Sequence, residues 1–235
     1  NFITGSSGMN INSGVIDVFD IARGSDPSDL KVTARIWNAG GIVKSGDGIL
    51  EMAGANTYSG STTVNEGTLL YTGTYGSTSH VVASGAVIEL NVPSGTRDYA
   101  TTTFSGDGTL LKTGAGTARW GGTAATFAFA SGALIDVQEG TFIGGSSANE
   151  NWTANASDLN VAGGALFNGV EANVRVGALS GTGTIRSGYG GAGYSTFTFG
   201  VGDASGTFGG ELSHNDGISY GHYTKVGTGT QTFTG

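Results

Sequence analysis

The chain has 235 residues, of which 45 are glycine and 2 are proline, so glycine makes up about a fifth of the chain against an average of roughly 7%. The formal charge is -8 and cysteine is absent, which argues against nucleic acid as a partner and excludes disulfides, thiolate chemistry and cysteine-based metal sites. With 37% hydrophobic and 12% charged residues, we expect a folded chain with a sizeable core.

The first forty residues carry neither a membrane anchor nor a convincing helix. No apolar run reaches the roughly 20 residues that a membrane-spanning helix needs, so no transmembrane segment is expected in this chain. The first four residues lack the basic start of a signal peptide, so the signal of an exported protein would be removed or lie outside the chain. Residues 25–37, SDPSDLKVTARIW, end in β-formers and predict a charged loop that enters a strand.

Four aspartates gather around this loop, with two basic residues nearby: Asp17, Asp20, Asp26, Asp29, Arg23 and Lys31. Polysaccharide-cleaving β-helix enzymes use carboxylates paired with a basic residue in a groove, so a carbohydrate site is one interpretation. A solvated acidic loop is the interpretation that we favour, because the residues show no further catalytic pattern.

One motif occurs three times along the chain, starting at Lys44, Lys112 and Lys225. Each lysine is followed by glycine at offsets of 2, 4 and 10, and eight residues after it stands a large apolar residue that we expect to face inward (Met52, Trp120 and Phe233). The spacings of 68 and 113 residues divide by three and five into a unit of about 22 to 23 residues, the size of one β-solenoid coil.

The segments between these motifs are short β-branched or aromatic alternations separated by glycine turns. In AVIELNV (86–92), Ile88, Leu90 and Val92 share one face of the predicted strand. One coil cannot bury its own apolar face, so coils must stack with parallel strands about 4.8 Å apart. We therefore predict a single all-β parallel solenoid over residues 1–235, with about ten coils and a length of roughly 50 Å.

The stretch KSGDGILEMAGANTYSGSTTVNEGTLL (44–70) resembles the autotransporter-associated β-strand repeat, also called the passenger-associated transport repeat. It contains the elements Lys-x-Gly-x-Gly, Gly-x-Asn-Thr-Tyr-x-Gly and Thr-Thr-Val-Asn-x-Gly-Thr-Leu in order. The segments from Lys112 and Lys225 match only the first element. The resemblance implies a right-handed parallel β-helix at a bacterial surface or released from it, and no catalytic residue.

Several short motifs could carry chemistry, but each has a simpler interpretation. GISYG (217–221), followed by His222, matches a nucleophile elbow without the helix that this motif requires. Glycines 188, 190 and 193 match the dinucleotide fingerprint without a βαβ unit. A metal could be imagined at Glu211, His214, Asp216 and His222, and calcium at Asp47 and Asp107, but turns explain these residues better. We therefore assign no catalytic, cofactor-binding or metal site.

Surface recognition is suggested by a few other residues. The sequons at Asn151 and Asn155 predict a polar surface loop. Five aromatic residues could stack on sugars: Tyr58, Trp120, Trp152, Tyr189 and Tyr194. Trp120 is expected in the core, whereas Trp152 is the best candidate for contact with a glycan.

The function expected from the sequence is structural or adhesive: an extracellular β-helix whose length, rigidity and repeated surface act without a reactive site. Neither end of the sequence shows a polar cap, so we expect either a fragment of a longer passenger or end-to-end self-association into fibres. The alternatives are a module that binds or cleaves polysaccharide on the same fold, and the stem of an autotransporter passenger.

Overall fold

The computed structural model describes residues 1–120, 124–145, 150–189, 196–214 and 221–235. Their regular structure is short β-strands, with one 3₁₀ turn at Val201–Asp203 and no α-helix. The strands are β1 (Phe2–Ile3), β2 (Met9–Asn10), β3 (Ile16–Asp20), β4 (Leu30–Val32), β5 (Ile36–Asn38), β6 (Gly41–Ser45), β7 (Ile49–Met52), β8 (Thr57–Tyr58), β9 (Thr62–Val64), β10 (Thr68–Tyr71), β11 (Ser79–Val82), β12 (Val87–Asn91), β13 (Thr96–Asp98), β14 (Thr102–Gly106), β15 (Thr109–Thr113), β16 (Thr117–Arg119), β17 (Ala125–Phe129), β18 (Leu134–Val137), β19 (Thr141–Ile143), β20 (Asp158–Val161), β21 (Leu166–Asn168), β22 (Val174–Arg175), β23 (Leu179–Gly181), β24 (Thr184–Ser187), β25 (Thr196–Phe199), β26 (Gly206–Phe208), β27 (Glu211–His214), β28 (His222–Lys225) and β29 (Gln231–Phe233).

The strands form a parallel solenoid with three faces, which the chain visits in a fixed order. The first face is one sheet of eleven strands in the order β1-β4-β7-β10-β12-β15-β18-β20-β23-β26-β29. The second face holds β2-β5-β8 and then β13-β16-β19-β21-β24-β27, and the third holds β3-β6-β9-β11-β14-β17 and then β22-β25-β28. Since each coil gives one strand to the first face, the chain makes about ten turns, which confirms the predicted fold and coil number.

Coil length varies along the solenoid, so the predicted unit of 22 to 23 residues is only an average. Leu50 pairs with Leu69, 19 residues on, whereas Leu110 pairs with Ile135, 25 residues on. Loops at the corners absorb the difference without changing the register of the strands. The lysine spacing was wrongly interpreted: Lys44 and Lys225 lie on the third face but Lys112 lies on the first, so the three do not mark one position of a common coil.

Apolar side chains that alternate along each strand fill the interior. The residues predicted to lie inward are almost all fully buried, namely Met52, Ile88, Leu90, Val92 and Trp120, and Leu50, Val64 and Leu69 are fully buried beside them. Phe233 was also expected in the core, but it is 46% exposed. Among the described residues its strand, β29, pairs with β26 alone, so no coil in this part of the chain covers its ring.

Aromatic rings stack from coil to coil through the centre of this core. Tyr75 stacks on Tyr99 at 5.0 Å between ring centroids, and Phe142 stacks on Phe167 at 5.6 Å. Trp120 lies between these two pairs, 5.8 Å from Tyr99 and 5.3 Å from Phe142. Each aromatic contact adds roughly 0.5–1.5 kcal/mol beyond the burial of its area, so the column stabilises the stacking of neighbouring coils.

The prediction for SDPSDLKVTARIW is confirmed. The segment is a loop that leads into strand β4 and then into β5, and it contains no helix. In the described part of the chain, no helix has the length and apolar character that crossing a membrane would require.

Candidate functional site: lysines at the coil corners

The best-built polar sites of the solenoid are two buried lysines at coil corners. Lys44 is the penultimate residue of the third-face strand β6, and its side chain is fully buried. Its Nζ donates to the backbone oxygens of Ser45 at 2.9 Å and Gly46 at 2.6 Å, in its own corner. It also donates to the Glu66 backbone oxygen at 3.1 Å, in the corner of the next coil. The ammonium therefore uses all three donors, and one of them joins two coils.

Lys112 repeats this arrangement on a different face. It lies in β15 and is also fully buried, and its Nζ donates to the backbone oxygens of Thr113 at 2.7 Å, Gly114 at 2.7 Å and Glu139 at 3.1 Å. The Glu139 side chain accepts the Gly114 N–H at 2.9 Å, which adds a second bond between the two corners. We call each such set of a lysine and three carbonyls a corner nest.

Both nests need glycine in the two corners that they join. Gly114 has φ of 78°, and Gly140, stacked above it, has φ of 64°, a region that residues with side chains rarely adopt. A Cβ on Gly140 would lie 2.3 Å from the Gly116 backbone oxygen. Glycine therefore permits both the left-handed turn and the close approach of neighbouring coils.

Lys225 makes only part of a nest. Its Nζ donates to the backbone oxygens of Val226 at 2.6 Å and Gly227 at 3.0 Å, as the other two lysines do in their own corners. The side chain is exposed, and no carbonyl from a further coil of this chain contacts it within the described residues. The Lys-x-Gly-x-Gly motif therefore specifies the local turn, and the next coil completes the nest.

Burial sets the electrostatics of the nests. Desolvation lowers the pKa of Lys112 to about 8, against the opposing attraction of Glu139. Desolvation also lowers the pKa of Lys44, opposed by the carboxylates of Asp20, Asp47 and Glu66. Each ammonium donates its three N–H groups to carbonyls and, while it is protonated in this way, has no lone pair that could act as a nucleophile.

Two buried asparagines also connect three successive coils. The Asn56 Oδ1 accepts the Ile36 N–H at 2.9 Å, while its Nδ2 donates to the Thr74 oxygen at 3.0 Å. Asn155, fully buried, accepts from the Phe129 N–H at 3.2 Å and donates to the Arg175 oxygen at 2.8 Å. At these positions the backbone forms no strand, and the asparagine side chain makes the hydrogen bonds to the coils on both sides instead.

A chain of hydroxyl groups and one imidazole crosses the core of the central coils. The Tyr58 and Tyr71 hydroxyls share a hydrogen bond of 3.1 Å, and the Tyr71 hydroxyl lies 3.1 Å from the His80 Nε2. His80 Nδ1 lies 2.8 Å from the Thr102 hydroxyl. Burial lowers the pKa of His80 to about 3, so its ring is neutral at neutral pH and acts as a structural hydrogen-bonding group.

The residues proposed for glycan contact are mostly in the interior. Trp152 is buried, stacks on Phe127 at 4.0 Å and donates from Nε1 to the Gly144 oxygen at 2.7 Å. The expectation that it lies on the surface was wrong, because the segment folds inward to complete the third face. Tyr58 is buried as well, Tyr189 is 40% exposed, and Tyr194 lies outside the described residues.

The two sequons have different environments. Asn151 is exposed, as expected for a polar surface loop, and its Oδ1 accepts the Thr153 N–H at 2.9 Å. Asn155 is buried in the bridge described above, which corrects the expectation of a surface position. A glycan attached to the Asn155 side chain would disrupt the hydrogen bonds by which this side chain connects three coils.

The acidic loop is ordered by its charges. Asp29 accepts the N–H of Ile49 at 2.7 Å and of Gly24 at 2.7 Å, and it pairs with Arg23 at 2.8 Å. The Ile49 bond is the largest contribution that lowers the Asp29 pKa. Lys31 instead pairs with Glu51 at 2.6 Å. Asp26 is exposed, so the loop is solvated at its tip and tied to the solenoid at its base.

The remaining candidates are not brought together where the structure describes them. Asp47 accepts the Arg23 N–H at 2.9 Å, and Asp107 is exposed in another turn. Glu211 and His214 lie on β27, whereas His222 lies on β28. No group of three metal-binding side chains occurs in the described ranges. Asp216, most of the GISYG motif and two of the fingerprint glycines lie outside them.

The sequence identified the three lysines as a repeated motif, but it did not indicate that two of them are buried and bonded to a carbonyl of the next coil. A second signal was present: Glu66-Gly67-Thr68 follows Lys44, and Glu139-Gly140-Thr141 follows Lys112, each one coil later. The glutamate supplies the third carbonyl and the glycine permits the stacked turn. A Lys-x-Gly-x-Gly motif followed one coil later by Glu-Gly-Thr is therefore the sequence pattern of a corner nest.

One segment of the chain matches the model of a known protein family. The profile of the family described as Passenger-associated-transport-repeat matches residues 42–70, which contain Lys44, its corner glycine and the Glu66 carbonyl. Searches of curated proteins and of solved structures found no match. The segment that matches this family, residues 42–70, thus lies within the parallel β-solenoid and contains one complete corner nest.

Proposed function

We propose that this protein is a structural β-helix stem on the surface of a bacterial cell, or released from it. The observation that carries the proposal is the corner nest at Lys44, because it lies inside the transport-repeat segment and its function is to lock one coil on the next. The protein would then act through its rigidity and its length, and this role requires no reactive site.

The fate of the candidate site residues supports a non-enzymatic role. Trp152 packs in the core and Asp29 is held by two backbone N–H groups and Arg23. Titratable groups with a strongly shifted pKa, such as His80 and Lys112, are buried in structural contacts. We therefore propose that the protein is not an enzyme and that the nests and bridges act in stability.

Small-angle X-ray scattering and glycan assays test the stem. We expect a stiff rod of about 50 Å for ten coils, with no binding on a glycan array and no cleavage of common polysaccharides. A compact particle, or saturable cleavage of one polysaccharide, would contradict the proposal. Asp26→Asn and Tyr189→Ala, at exposed positions, would then show which surface carries the activity.

We further propose that the edge coils can pair with a coil of a second copy, which would give an adhesive or fibrous assembly. Within the described ranges, strand β3 pairs with β6 alone, and its Ile16 and Val18 are 59% and 64% exposed; Phe233 on β29 is 46% exposed. Exposed apolar edge strands favour pairing with further strands. Electron microscopy and analytical ultracentrifugation over a wide concentration range would show uniform filaments, whereas monomeric rods throughout would refute the assembly.

A further inference from the structure

The loop that connects the first two coils contains a peptide bond with unusual chemistry, between Asp26 and Pro27. Both residues are exposed, and they line an open pocket of about 360 Å³ together with Asn1, Phe2, Ser28 and Lys31. The bond is therefore open to water, although it lies beside paired strands.

An arginine donates to the carbonyl oxygen of this bond. The Arg23 guanidinium nitrogen NH1 lies 2.9 Å from the Asp26 backbone oxygen and 2.8 Å from the Asp29 carboxylate. Asp29 is itself held by the N–H groups of Gly24 and Ile49, and the Arg23 N–H donates to Asp47. Four anchoring contacts thus fix a cation on the oxygen that would become negative if the carbonyl carbon were attacked.

We propose that Asp26–Pro27 is a site of intramolecular peptide-bond cleavage, with Asp26 as the nucleophile and Arg23 as the stabiliser of the oxyanion. An Asp26 carboxylate oxygen attacks the Asp26 carbonyl carbon and closes a five-membered ring. The bond from that carbon to the Pro27 nitrogen then breaks, and the nitrogen takes a proton from water. A second water opens the cyclic anhydride, so the net reaction is hydrolysis to an Asp26 carboxylate and a free Pro27 amine.

Three features favour this bond over other peptide bonds in the chain. The ring closure needs only the aspartate's own side chain, which gives it the advantage of proximity. Proline contributes a tertiary amide, whose nitrogen is a better proton acceptor than that of a secondary amide. Arg23 polarises the carbonyl only in the folded loop, so folding should accelerate the reaction.

Cleavage would leave the two pieces associated. The first coil, in residues 1–26, is paired to the second through β1–β4, β2–β5 and β3–β6. The product is a nicked solenoid whose first coil is held by strand pairing and can be lost on mild denaturation. This inference does not depend on the proposed function, because it concerns one bond and its neighbours.

The test compares cleavage of the folded and the unfolded chain. The purified chain is incubated at pH 5 and 37 °C, with and without guanidinium chloride, and fragments are measured by mass spectrometry, with circular dichroism to confirm folding. We expect fragments 1–26 and 27–235 to form on the order of 100-fold faster in the folded chain, the lower end of what one oxyanion donor contributes.

Variants separate the nucleophile from the donor. Asp26→Asn and Asp26→Glu should abolish cleavage at this bond, and Arg23→Gln should lower the folded rate to the unfolded one. Asp107→Asn, in a distant exposed turn, should leave the rate unchanged. Equal rates in the folded and unfolded chain, an unaffected Arg23→Gln variant, or fragments only at other bonds would each overturn the proposal.

Discussion

The central coils and the last coil contain the same lysine motif in different surroundings. Lys112 in the central coils is fully buried and bonds three carbonyls, one of them from the next coil. Lys225 in the last coil bonds two carbonyls of its own turn and is exposed. The local sequence therefore fixes the turn, while burial and the bond between coils depend on a neighbour. The same motif therefore connects two coils at Lys112 and forms only an exposed turn at Lys225.

The largest expected effect concerns acid and the central coils. Because the folded pKa of His80 is about 3 and the ordinary value is 6.5, the unfolded chain binds a proton that the folded chain does not between these pH values. Stability contributed by neutral His80 is present above pH 6.5 and is lost as the pH falls towards 3, by at most about 1.4 kcal/mol per pH unit. Urea unfolding from pH 7 to pH 4 measures the loss.

The variant His80→Gln isolates this contribution, because glutamine keeps a donor and an acceptor but does not titrate. We expect the difference in unfolding free energy between wild type and variant to shrink as the pH falls from 7 to 4. A difference that stays constant over that range would show that His80 does not cause the acid sensitivity.

Removing the ammonium group should destabilise the protein at Lys112, where it is buried, much more than at Lys225, where it is exposed. Lys112→Met keeps the apolar stem but leaves three carbonyls without their donor, so we expect a loss of about 3 kcal/mol in the free energy of unfolding. The matched variant Lys225→Met should change it by less than about 0.5 kcal/mol, as at other surface positions. Equal effects in chemical denaturation would mean that the bond between coils contributes nothing measurable.

The glycines of the corners should show the same dependence on a neighbouring coil. Gly140→Ala combines a positive φ with a Cβ placed against the Gly116 oxygen, and we expect a loss of about 2–3 kcal/mol. Gly164 has φ of 85° but open space around its Cβ position, so Gly164→Ala should cost about 1 kcal/mol. Thermal unfolding of both variants separates backbone strain from coil stacking, and identical shifts would contradict the role of close approach.

The asparagine bridge predicts a smaller loss. Asn155→Ala removes a buried amide that bonds the coils on both sides, so we expect about 2 kcal/mol of destabilisation. Asn151→Ala, in the exposed half of the same segment, should cost less than about 0.5 kcal/mol. Hydrogen exchange at Phe129 should increase in the first variant alone, and unchanged protection there would show that the bridge is not needed.

Much of the fold could be predicted from the sequence because solenoid coils repeat local information. Alternating apolar residues such as Ile88 and Leu90 identified strands and their inward faces, and the glycine turns between them indicated a stack of short coils. The environments of Trp152, Asn155 and Phe233 could not be predicted, because each depends on which coil lies next to it. The lysines were visible as a pattern, but their buried ammonium groups are evident only when the following Glu-Gly-Thr corner is stacked on them.

The third carbonyl of each nest has a consequence for the order in which the chain folds. An ammonium at Lys44 has its full set of acceptors only after residues up to Glu66 have docked, and Lys112 only after Glu139 has docked. A growing stack that stops between these residues leaves the lysine exposed and bonded to two carbonyls, as Lys225 is, and docking of the next coil buries it and supplies the third acceptor. Interactions in a solenoid are limited to neighbouring coils. The nests therefore strengthen the contact between neighbouring coils at two junctions, the one bridged by Lys44 and the one bridged by Lys112. Forced unwinding should therefore pause at these junctions, giving the solenoid discrete steps of mechanical resistance along its length.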